Sequence, residues 1–97
     1  MSYKITGEIK ERAKKLNIVL YPSKNKNKKL DAYKDDVFQT SFGGFGYKDY
    51  HLYKEEFGIT YANKKRKLYK QRHEKDRHIK YRNGKLTAGY LSDKILW

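Results

Sequence analysis

Cysteine is missing from the 97 residues, and its absence removes disulfides, thiolate nucleophiles and the cysteine-rich kind of zinc site. Proline occurs once, at Pro22. Nowhere do about 18 apolar residues run together, which argues against a bilayer-spanning helix. Met1 to Lys15 hold no apolar run of signal-peptide length, so export by that route is not expected. Acids are scarce as well: 11 Asp and Glu face 24 Lys and Arg, leaving a net charge of +13. A field of that size favours phosphate polymers or anionic surfaces as partners, and it opposes self-association unless the charge is segregated.

The length predicts a single domain over residues 1–97 with one modest core. The hydrophobic share is 37%, and ten tyrosines supply much of it. A tyrosine buries a large ring while its hydroxyl still needs a partner, so this composition points to a wet-edged core or to a contact surface.

Thr6 reads as the start of a short helix with Ile9, Ala13 and Leu16 on one stripe. Asn17 to Tyr21 is apolar enough for a strand, ended by Pro22-Ser23. Ser23 to Lys29 carries four lysines and no acid, a solvated loop that could also touch phosphate. Lys29 to Lys34 and Val37 to Phe42 read as strands joined by a turn at Lys34-Asp35-Asp36. Gly43-Gly44-Phe45-Gly46 marks a junction needing positive φ or a close backbone approach. Asp49 caps a helix to Phe57, stopped by Gly58. Thr60 then caps the longest helix, Tyr61 to about Arg77, with Tyr61, Ala62, Leu68, Tyr69 and His73 as its thin buried stripe. Asn83-Gly84 is a turn signal, Thr87 can cap again, and Tyr90, Leu91, Ile95, Leu96 and Trp97 make an apolar C-terminal segment. The fold class expected is α+β: a small antiparallel β-sheet of about three strands packed against the basic helix and a C-terminal helical segment.

The charge is unevenly placed. Lys64, Lys65, Arg66, Lys67, Lys70, Arg72, Lys75, Arg77, Lys80 and Arg82 face only Glu74 and Asp76 over that stretch, whereas Asp35, Asp36, Asp49, Glu55 and Glu56 outnumber Lys48 and Lys54. These ten cations are the expected nucleic-acid-binding residues, meeting the phosphate backbone or an acidic protein surface. The acidic stretch offers a counterpart through which copies could associate. A plainer reading is a solvated helix face held by (i, i+4) pairs such as Lys70 with Glu74. Two acids cannot pair ten bases, which argues against it. Tyr69 and Tyr81, interleaved with the cations, could stack on bases or belong to the core.

No catalytic or metal constellation emerges, and no cofactor is implied. His73-Glu74 with His78 lacks the (i, i+4) histidine pair of a helical zinc site. His73 reads as a hydrogen-bonded, partly buried ring and His78 as a surface residue. Asp35-Asp36 and Glu55-Glu56 are adjacent pairs that point apart, with no second acid cluster to complete a metal-dependent nuclease. The glycine run lacks the Lys-Ser/Thr of a phosphate-binding loop. A non-enzymatic protein is therefore expected, and a small nuclease has only the basic charge in its favour.

Three clusters together carry a resemblance: Phe42-Gly43-Gly44-Phe45-Gly46-Tyr47-Lys48-Asp49-Tyr50, then Tyr61-Ala62-Asn63 leading to Leu68-Tyr69-Lys70-Gln71-Arg72-His73-Glu74-Lys75-Asp76-Arg77, then Gly89-Tyr90-Leu91-Ser92-Asp93-Lys94-Ile95-Leu96-Trp97. Their order and content resemble a family of small, functionally uncharacterised basic proteins of nucleocytoplasmic large DNA viruses, the giant viruses of protists and algae. Leu91 and Ser92 depart from the family's pattern. The resemblance implies a virus-encoded virion protein, a minor capsid or core component among capsid proteins, found in host cytoplasm or nucleus during assembly. The alternative is a free nucleic-acid-binding protein acting in viral replication or transcription.

Overall fold

The structure is a computed structural model, and it describes residues 3–97. Helix α1 (Gly7–Lys15) starts where Thr6 Oγ1 accepts from the Ile9 N–H at 3.3 Å. It ends by wrapping its last carbonyls: Ile18 N–H donates to Ala13 O at 2.9 Å and Asn17 N–H to Lys14 O at 3.0 Å, with Asn17 at φ 59. Asn17, expected to begin a strand, therefore closes the helix instead, because asparagine tolerates the left-handed conformation that this cap requires. The cap also drops Ile18 into the core beside Ala13.

Strands β1 (Val19–Pro22), β2 (Lys28–Lys34) and β3 (Val37–Gly44) form an antiparallel sheet in that order. Asp35 and Asp36, both at positive φ, make the two-residue turn between β2 and β3, matching the twist of the strands. Register shifts between Ala32↔Thr40 and Tyr33↔Phe38, so Gln39 is an extra residue on β3. That bulge has a use. Gln39 Oε1 accepts from Leu86 N–H at 3.0 Å, docking a small hairpin of β4 (Tyr81–Arg82) and β5 (Lys85–Leu86) turned at Asn83-Gly84.

Strand alternation puts Leu20, Leu30, Ala32 and Phe42 on the inner face of the sheet. There they meet Ile9 and Ala13 of α1, Leu91 of α4 (Ala88–Leu91), and Ile95 and Leu96 of a terminal π-helical turn (Ser92–Leu96). Each fully buried Leu, Ile or Phe contributes about 1.5–3 kcal/mol by leaving water. Glycine is needed at Gly43, which has φ 78 and lies so close that a Cβ would stand 2.7 Å from Leu96 Cδ1. The α+β class and three-stranded antiparallel sheet are as the sequence indicates, and the C-terminal segment does cover the sheet.

Asp49 caps α2 (Tyr50–Phe57), accepting from Leu52 N–H at 3.0 Å through Oδ1. Its other oxygen is buried against Lys29 Nζ at 2.9 Å and the Tyr3 hydroxyl at 2.5 Å. Burial, with the Asp49 charge and hydrogen bond, pushes the Tyr3 hydroxyl far above its ordinary pKa. Gly58, at φ 90, both ends α2 and begins α3 (Ile59–Arg72). Helix α3 thus starts two residues before the expected Tyr61, capped at Gly58 rather than Thr60, and it stops at Arg72 rather than near Arg77. Beyond Tyr69 its inner positions offer no aliphatic side chain to bury, and residues 73–78 instead turn back. The basic helix stands one layer further out than expected, packed chiefly along α2. Among the described residues no helix is long and apolar enough to cross a membrane.

Candidate nucleic-acid interface

Helix α3 buries only Ala62 and Tyr69. Positions 62, 66, 69 and 73 recur with the helical period, so Arg66 falls on the inward stripe between them. Its guanidinium carbon lies 3.6 Å from the centre of the Tyr50 ring, and its Nε is buried without a hydrogen-bond partner. Lys65 lies over the rings of Tyr53 and Tyr61 at 5.6 and 5.5 Å. Lys70 reaches Asp93 at 2.7 Å, and Arg77 is held by Glu74 at 2.8 Å with Asp93 at 3.8 Å. The (i, i+4) pair of Lys70 with Glu74 does not form: Lys70 is drawn to the buried Asp93, while Glu74 accepts from Arg77 and His78.

The remaining cations point away. Lys64, Lys67, Arg72 and Lys75 are exposed and, among the described residues, have no ion pair. Lys80 and Arg82 extend the basic surface along the β4–β5 hairpin. Lys80 lies near the rings of Tyr81 and Tyr90, and Arg82 is exposed. Glu74 and Asp76 are the exposed acids of this stretch. Hydrogen bonds from Arg77 and His78 hold the Glu74 carboxyl below the usual range.

Two expectations about aromatic rings resolve differently. Tyr69 is core: it stacks on Trp97 at 4.3 Å with planes 6° apart, and burial followed by the Asp93 charge pushes its hydroxyl pKa up. Tyr81 remains 51% exposed. On the supposed stripe, Tyr61 and Leu68 face solvent, while His73 is partly buried as expected, its ring tilted against Tyr69 at 4.3 Å and its Nδ1 4.0 Å from Asp76, beyond hydrogen-bond range.

The acids do not assemble into an opposing face. Asp49 is buried beneath Lys29, Glu56 pairs with Lys48, and Asp35 with Asp36 occupy the β2–β3 turn. Glu55 is exposed near Glu56 on α2, so the acids are split between that helix and the turn. Among the described residues no group of three or more His, Cys, Asp or Glu is placed to hold a metal ion.

Sequence reasoning did not single out Asp93, which is buried and gathers Lys70, Arg77 and Lys94 within 4.0 Å. Its only sequence signal is an acid inside an otherwise apolar terminal segment. Comparison with models of known protein families, with curated proteins and with solved structures finds no match for this chain.

Proposed function

We propose that this protein binds nucleic acid through phosphate contacts made by the outward cations of α3 and the segment that follows it. The observation that carries the reading is the row of Lys64, Lys67, Arg72 and Lys75, exposed and without partners while the neighbouring cations are engaged internally. Unpaired surface cations along a helix and the turn that follows it can each displace a counterion from a phosphate backbone. The interior needs none of the four, so their charge is available to a partner. On the family resemblance, the setting is the particle of a large DNA virus, with the protein a non-enzymatic minor capsid or core component.

The test is affinity for a labelled oligonucleotide across salt. Replacing Lys64, Lys67, Arg72 and Lys75 together by Ala should lower the slope of log affinity against log salt by about three and leave stability unchanged, since each lost phosphate contact removes about 0.7–0.9. The weakening should be uniform across sequences. A wild-type affinity that does not change with salt would sink the phosphate reading. The particle assignment would be withdrawn if mass spectrometry of purified virions found no such protein.

A further inference from the structure

The inner face of the sheet is the core, while its outer face lies open. Alternation sends Val19 and Tyr21 of β1, Asp31 and Tyr33 of β2, and Phe38 of β3 to that side. Tyr21 is 54% exposed and Phe38 39%. The rings of Tyr21, Tyr33 and Phe38 run across all three strands, with 5.5 Å between successive centres and planes at 88° and 67°. Beside these rings opens a shallow recess of about 550 Å³, lined by Tyr21 and Tyr33 together with Lys24, Asp31 and Asp36. Exposed apolar surface gathered in one place marks a contact site more often than scattered exposed residues do.

The lysine-rich loop beside this face is built rather than loose. Asp31 Oδ1 accepts from the hydroxyls of Ser23 at 2.6 Å and Ser41 at 2.5 Å, and its Oδ2 accepts from Lys24 N–H at 3.2 Å. Ser23 Oγ then accepts from Asn25 N–H, Asn25 Oδ1 from Asn27 N–H, and Asn27 O from Phe45 N–H. Burial acts to raise the Asp31 pKa, but these donors outweigh it and the carboxyl is held lower than usual. Asp31 is therefore spent on holding the loop, while Lys24 and Lys26 are left exposed.

We propose that this face binds the bases of single-stranded nucleic acid, one base seated in the recess against Tyr21 and Tyr33 while Lys24 and Lys26 meet adjoining phosphates. The inference rests on the phosphate-binding reading above and adds the class of strand. Lys24 in the β1–β2 loop and Asp36 in the β2–β3 turn stand at opposite ends of β2. A polymer that is anionic throughout would be repelled by Asp36. A nucleotide matches both ends, because its phosphate suits an ammonium and its base edge carries N–H donors that suit a carboxylate. Aromatic side chains stack on unpaired bases, whereas a duplex keeps its bases stacked on one another.

The experiment compares a mixed-sequence single-stranded oligonucleotide with an abasic strand of the same length. Tyr21→Ala should weaken the base-bearing strand by about tenfold and leave both the abasic strand and the salt slope unchanged. Equal effects on the two strands, or none, would overturn the inference. If the wild type bound neither strand, the phosphate reading would fall and this inference with it. Steep salt dependence with identical affinity for both strands would remove the inference alone. Tyr33→Ala also takes away cross-strand packing, so its substitute is photo-crosslinking of the wild type to an iodouracil-containing strand. Crosslinks are expected at Tyr21, Tyr33 or Phe38, and crosslinks confined to other residues would count against the site.

Discussion

Arg66 and Lys67 are adjacent in the chain and about 100° apart around α3, yet they serve different ends. Arg66 is pressed onto Tyr50, in the same inward set as Lys65, Lys70 and Arg77, while Lys67 joins Lys64, Arg72 and Lys75 in open solvent. Charge counted along the sequence treats these two rows alike. The inward cations are fixed by rings and carboxylates, so a phosphate would have to displace an existing partner to reach them. The outward cations give up only water and counterions. Capacity for a polyanion is therefore set by the outward row, about half of what the sequence suggests.

The strongest test of this division lies at the most deeply inward cation, Lys29. Asp49→Ala would leave the Lys29 ammonium buried without its carboxylate and would uncap α2. A loss of about 3–5 kcal/mol is expected, read as a fall in the urea midpoint. That is a large part of the roughly 5–15 kcal/mol that holds a small domain folded. The double variant Lys29→Met/Asp49→Asn should recover most of it, because the cost comes from the stranded charge rather than from the lost pair. No recovery would mean that the pair itself holds the fold together.

Below this stands a single inward change. Arg66→Met should lower stability by about 1 kcal/mol, the usual size of a partly buried cation–π contact. The methionine keeps the aliphatic packing of the stem and removes the unpartnered Nε. The salt slope of oligonucleotide binding should not move. If Arg66→Met lowered that slope as much as Arg72→Ala does, the two rows would not be distinct.

The parts of the fold that sequence could reach are those with local chemistry. Thr6, Asp49 and Thr87 each accept the N–H bond expected of a helix cap, and Asn83-Gly84 turns a hairpin as its positive φ angles require. The row assignment was harder to reach, because a stripe with only Ala62 and Tyr69 buried gives a weak phase. Once Tyr69 is taken as core, spacing alone places Arg66 inward, so that signal was present but faint. Asp93 and the Lys29–Asp49 pair depend on contacts 20 or more residues apart along the chain, and no local pattern encodes them. The open sheet face was hidden for a related reason: alternation shows that a strand has two faces but not which of them a helix will cover.

The smallest expected effect concerns Glu74, one of two exposed acids among the outward cations. It accepts from Arg77 and His78 and is fully exposed, so its pairs contribute little to stability. Its depressed pKa means that what it does contribute is present above the ordinary carboxylate range and is lost as pH falls through the lowered folded value. Glu74→Gln should leave the urea midpoint where it is. Removing one negative charge beside Arg72, Lys75 and Arg77 should instead raise oligonucleotide affinity about two- to threefold near 0.05 M salt, with the gain gone near 0.5 M as screening shortens the reach of the charge. A gain that persisted at high salt would point to a direct contact by the new amide. No gain at low salt would place the strand away from this end of the helix, narrowing the phosphate surface to Lys64 and Lys67.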